Sequence, residues 1–299
     1  MNSTLSHPSP ASGRGRNWAR IADYLYEAAS HLAQKDLVEE SLKEGLYASP
    51  SLSRLLNLLD HAKKTQQKVD YLNGALVRFE KMKKRTEKKD SLETNLNRSP
   101  DLYENHVPEN LEVYGYLLKG NYAQAADLMS PSKPLGWSSG YSPNAILVPF
   151  FLYTRWNQER KLTANITDLW KDATDVPVDF GTYSQEDSGP GDLGKRFRDH
   201  LEKALKEFAI PEKERDESFL AAEKAAFKRA DAIVSEKHRQ SYWKAAQLLL
   251  AVAEVNWSND EADKGQKLIN RFKEKYSRHH AFKTELQKVA NKSKLFSAS

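Results

Sequence analysis

Asp231, His238 and Glu254 have the side-chain chemistry of an acid–base or metal site, and they fall within one stretch, DAIVSEKHRQSYWKAAQLLLAVAEV. Asp231 and His238 are seven residues apart, two helical turns, and so share a face if the helix runs through both. Glu254 sits in an apolar run, where a buried carboxylate needs a hydrogen-bonding or charged partner. Catalysis or metal binding would require convergent ligands, and the chain holds neither an HExxH motif nor a carboxylate pair at metal spacing. Asp231, His238, Arg239 and Glu254 are therefore expected to act in structural polar pairing, with His238 or Arg239 meeting Glu254 to fix helix register. The adjacent His279 and His280 point about 100° apart on a helix, a poor arrangement for joint metal ligation. No metal, no cofactor and no catalytic residue is expected.

Two kinds of residue invite binding instead. Clustered cations occur in KMKKRTEKK, with Lys83, Lys84 and Arg85, and in KGQKLINRFKEKYSR, with Arg271, Lys275 and Arg278. Such runs can neutralise phosphates. Glu80, Glu87, Glu274 and Glu285 interrupt them, however, and Phe272, Tyr276 and Phe282 keep helical core spacing rather than forming a base-stacking platform. The second candidate is the turn-rich PLGWSSG. Its Trp137 beside Ser138 and Ser139 could line a pocket, or the indole could plug the end of a helical stack.

These residues must be positioned by helices. RNWARIADYLYEAASHLAQKD spaces Trp18, Ile21, Tyr24 or Leu25, Ala28 and Leu32 by threes and fours, an amphipathic helix. LVEESLKEGLY continues helical to about Tyr47, and Ser49–Pro50 reads as the next helix start. Leu52, Leu55, Leu56 and Leu59, then Val69, Leu72, Leu76 and Phe79, predict two helices with a weak spot at Lys64–Gln67. LEVYGYLLKGNYAQAADLM is a helix, a Gly120 turn and a second helix, and resembles a tetratricopeptide-type pair. NAILVPFFLYTRW is apolar on every side, which predicts a buried helix that Pro149 kinks or divides. KLTANITDLW, GKRFRDHLEKALKEF, the long run after Pro211 (with Phe219, Leu220, Phe227, Ala230 and Val234 buried), YWKAAQLLLAVAEV, KLINRFKEKY and AFKTELQKV complete the set.

The chain has 299 residues, enough for one large or two ordinary domains. It has no cysteine, which excludes disulfides, thiolate nucleophiles, iron–sulfur clusters and cysteine-based zinc sites. Charged residues make up 29%, the mean hydropathy is −0.74, and the net charge of +5 selects no single partner class. No stretch offers the ~20 apolar residues of a bilayer span. The N-terminal MNSTLSHPSPASGRGR lacks the apolar core of a secretory signal.

PLGWSSGYSPNAILVPFFL, ADAIVSEKHRQSYWKAAQLLLAVAEV and KLINRFKEKYSRHHAFKTELQ together resemble the helical region of bacterial proteins associated with SWIM-type zinc fingers. The likeness covers Leu111 to Val289. The finger itself needs cysteines and does not carry over. The resemblance implies a stand-alone, cytoplasmic, bacterial helical module that holds a partner.

The expectation is thus an all-α fold of stacked antiparallel helices, a TPR-like helical array. Its anticipated parts are a disordered tail (1–16), an N-terminal helical segment (17–90), a linker or exposed loop (91–110), a C-terminal helical domain (111–291) and a tail (292–299). The expected function is a non-enzymatic scaffold that holds a protein partner in a groove between helix layers. A nucleic-acid-binding accessory role on the basic faces is the alternative.

Overall fold

A computed structural model describes residues 14–92, 107–130, 132–137, 142–175 and 190–293. Among these residues it is all-α, with no strand. The helices fall into two compact units, each with its own core.

The first unit contains α1 (Arg14–His31), α2 (Lys35–Ala48), α3 (Leu52–His61), α4 (Thr65–Leu92) and α5 (Glu109–Lys119). The expected continuous entry helix is broken at Leu32–Gln34, where Ala33 takes a left-handed φ of 55°. The break lets α2 fold back on α1. Ser51, not Ser49, caps the next helix: its side chain accepts a bond from the Arg54 N–H. Leu55, Leu56, Leu58 and Leu59 then bury fully against α2 and α4. The gap expected at Lys64–Gln67 falls at the α3–α4 junction. Arg54 reaches back to grip both carboxylate oxygens of Asp23 at 2.7 Å, tying α3 to α1. Helix α5 packs on α4, where Lys83 bonds Glu112.

One expectation for α1 is overturned. Its large apolar residues do not face the core. Ala19, Ala22 and Ala29 do, at 1–3% exposure, while Trp18, Ile21, Tyr24, Leu25 and Leu32 are 41–68% exposed. The reason is closeness: small residues, with Gly45 on α2 opposite Ala22, let the two helices approach, and bulky ones would hold them apart.

The second unit contains α6 (Tyr122–Asp127), α7 (Asn144–Arg155), α8 (Ala164–Thr174), α9 (Pro190–Glu207), α10 (Glu212–Ser235), α11 (Tyr242–Ser258), α12 (Ala262–Lys275) and α13 (His280–Ser293). Gly120, at φ +79°, precedes α6 as the turn chemistry requires. Two helices have long stretches buried on all sides. In α7, Ile146, Leu147, Val148, Phe150, Phe151 and Leu152 are at most 1% exposed, each contributing roughly 1.5–3 kcal/mol of apolar burial. Pro149 lies inside this single helix. In α11, every residue from Leu248 to Asn256 is buried, and α7, α8, α10, α12 and α13 all pack on it. Helix α12 crosses α11 at Gly265, where a Cβ would lie 2.7 Å from the Ala253 carbonyl oxygen. Leu220, expected in the core, is 53% exposed, because Phe219, Ala222, Ala226 and Ala230 occupy the inward face of α10. No helix among the described residues is long and apolar enough to cross a membrane.

Candidate functional site

Helices α10 and α12 both pack on α11. Between them runs an open groove of about 530 Å³, lined also by Ser132 and Pro134. Its apolar lining is Phe227 and Ala232 from α10 and Leu268 and Phe272 from α12. The rings of Phe227 and Phe272 meet at 6.3 Å and join the helices. Around this lining stand Lys228, Arg271 and Lys275, with Asp231 and Glu236 as the carboxylates.

Asp231 is not a free acid. Tyr276 donates its hydroxyl to the carboxylate at 2.6 Å, and Lys275 pairs with the same oxygen. Burial alone would raise its pKa. The Lys275 and Tyr276 hydrogen bonds, with the charges of Lys275 and Arg271, outweigh burial and hold it below the usual carboxylate range. Conversely, burial and the Asp231 carboxylate push the Tyr276 hydroxyl up. The arrangement locks α10 to α12 and leaves Lys228 and Arg271 exposed beside the apolar strip.

The Trp137 loop closes over the neighbouring turn of α10. Arg229 is 8% exposed, donates to the Pro134 carbonyl at 3.3 Å and stacks its guanidinium 4.5 Å from the Trp137 ring centroid. Burial lowers the Arg229 pKa to about 10. The indole N–H donates to the Lys133 carbonyl at 3.0 Å, so the loop is folded on itself as well as on α10. Trp137 thus acts as a buttress for Arg229 on α10. Ser138 and Ser139 lie outside the described residues.

Two pairings expected from sequence are corrected. His238 does not share a face with Asp231, because α10 ends at Ser235 and Lys237 turns left-handed at φ 63°. His238 is instead exposed and contacts Glu236 at 3.3 Å, and Arg239 is exposed in a short 3-10 turn. Neither meets Glu254. That carboxylate is fully buried and takes hydrogen bonds from the Thr163 hydroxyl at 2.5 Å and the Asn165 amide at 2.7 Å. The Ile166 backbone N–H and the Ser293 hydroxyl add weaker pulls. Glu254 therefore sits at the N-terminus of α8, where unsatisfied N–H groups favour an acceptor. Asn165 also donates to the Val289 carbonyl, so the junction joins α8, α11 and α13. Burial outweighs these donors and raises the Glu254 pKa to about 7. Thr163, two residues ahead of Asn165 at a helix start, was the one legible sign of this site.

The cationic runs belong to different units. In the first, Lys83 pairs with Glu112 and Lys84 with Glu80, and Arg85 is exposed. In the second, Arg271 and Lys275 line the groove, and Arg278 is exposed in the turn after α12. No group of three or more His, Asp or Glu among the described residues could hold a metal ion. No family model matches the chain, and neither a curated protein nor a solved structure is detectably similar to it.

Proposed function

We propose that the second unit is a protein-binding module, and that the α10–α12 groove takes a segment of a partner carrying apolar anchors and acidic residues. One observation supports this most directly: the half-buried Phe227 and Leu268, seated over the buried Phe272, line a groove beside exposed Lys228 and Arg271. Apolar contact would supply affinity, and the cations would set orientation and select against basic partners. Asp231 and Lys275 neutralise each other, so they hold the groove walls rather than take part in a reaction. On this reading the protein is a helical scaffold.

The test is an affinity capture from native lysate, with and without nuclease, using wild type and a Lys228→Glu/Arg271→Glu variant. Both residues are exposed, so the variant keeps its fold. Capture that survives nuclease, weakens only modestly with salt and drops at least about tenfold in the variant is expected. Capture abolished by nuclease, with affinity falling steeply as salt rises, would instead assign the unit to nucleic acid.

A further inference from the structure

The first unit carries an apolar stripe that its own packing leaves about half open. Trp18, Ile21, Leu25 and Leu32 are 41%, 46%, 45% and 68% exposed, and Ala28 between them is exposed as well. Leu32 still belongs to the helical ladder, since its N–H bonds the Ala28 carbonyl at 3.0 Å. The five positions step by three, four, three and four residues. That is the a/d seam of a heptad, the spacing a second helix demands. Helix α1 meets α2 chiefly through Ala19, Ala22 and Ala29 on an adjoining face, and the seam adds only the Trp18 indole N–H donated to Glu44 of α2 at 3.4 Å. With Tyr24, at 62% exposure, the uncovered side chains present roughly 500 Å². A typical monomer's largest apolar patch is about 300–600 Å², and such patches are often functional.

We propose that this seam is a homodimer interface, in which α1 lies antiparallel to α1 of a second copy of the chain. Three observations favour that occupant. First, the seam is self-complementary when reversed about Leu25. Trp18 then faces Leu32 of the second copy and Leu25 faces Leu25, while Ile21 comes opposite the Ala28–Ala29 pair, so the bulky Ile21 meets small residues in both halves. Second, two copies would bury about 1,000 Å², the threshold for a specific interface, which points to a micromolar dimer. Third, among the α1 residues whose side chains are described, Arg20 and Glu27 are exposed charges of opposite sign. Those mixed signs favour a partner of the same composition over an anionic bilayer or nucleic acid. The antiparallel arrangement also sets opposite helix dipoles side by side.

Sedimentation velocity of the full chain from about 1 to 200 µM tests the proposal, with a monomer–dimer equilibrium expected at a Kd on the order of 10 µM. An Ile21→Glu/Leu25→Glu variant is expected to raise that Kd at least about 100-fold. Its circular dichroism and melting at low concentration should match wild type, because both side chains are exposed in the monomer. The chain has no cysteine, so single cysteines report geometry cleanly. Leu25→Cys is expected to oxidise to a covalent dimer. Trp18→Cys is not, because in the antiparallel pair the two copies of residue 18 lie about 20 Å apart along the seam. A monomer at the highest concentration overturns the proposal, as does a dimer indifferent to the double variant. Efficient crosslinking through Trp18→Cys overturns the antiparallel pairing. Vesicle binding by a monomeric wild type, lost in the double variant, would reassign the seam to a lipid surface.

Discussion

Replacing Glu254 by Gln should remove a pH dependence from the stability of the second unit. Glu254 is 0% exposed, and burial raises its pKa from 4.5 to about 7 against the opposing pull of Thr163, Asn165, Ser293 and the Ile166 N–H. No cation contributes to that shift. In the unfolded chain the group loses its proton near pH 4.5, whereas in the folded protein it holds it to about pH 7. Between those values the native state binds more protons, so stability is fully present below pH 4.5 and is lost as pH rises through 7. A shift of about 2.5 units at 1.36 kcal/mol each makes the loss about 3 kcal/mol. Gln keeps the shape and one acceptor but cannot ionise. The assay is denaturant unfolding at a series of pH values, followed by tryptophan emission. Five of the six indoles, Trp137, Trp156, Trp170, Trp243 and Trp257, lie in the second unit. Glu223 and Asp172, whose pKa values burial also raises, are present in both proteins and cancel in the difference. The wild-type-minus-variant stability should fall by about 3 kcal/mol between pH 4.5 and 8. A difference that stays level across this range would refute the reasoning.

Other perturbations probe the packing and the groove walls. Gly265→Ala should destabilise the second unit by about 2 kcal/mol or more despite alanine's better helix propensity. The new Cβ would lie 2.7 Å from the Ala253 carbonyl oxygen, and backbone cannot step aside; a melting temperature at or above wild type would contradict this. Tyr276→Phe removes one of the two hydroxyl and ammonium donors to Asp231 and should cost about 1 kcal/mol. Because the folded Asp231 pKa is depressed, its contribution is present above the unfolded value and is lost as pH falls through the folded one. A carboxyl titration followed by NMR should therefore move upward in the variant.

The sequence by itself determined the fold class and most of the elements. Heptad-like apolar spacing, the absence of alternation and the Gly120 turn specify helices through local backbone chemistry alone, and NAILVPFFLYTR was readable as a buried helix because no face of it is polar. It also showed that Glu254 would need partners. Only the tertiary structure decided who those partners are. Thr163 and Asn165 lie 91 and 89 residues away, and a donor's identity depends on which helix N-terminus the packing brings to the acid. The same limit explains α1, whose periodicity marks an apolar stripe without saying what covers it. Helix packing there is decided by closeness, which Ala19, Ala22, Ala29 and Gly45 permit and Trp18 does not. It explains His238 too, since a seven-residue spacing places two side chains on one face only while the helix lasts. Periodicity is a property of one segment, whereas a groove, a buried pair or an uncovered seam belongs to the way segments meet.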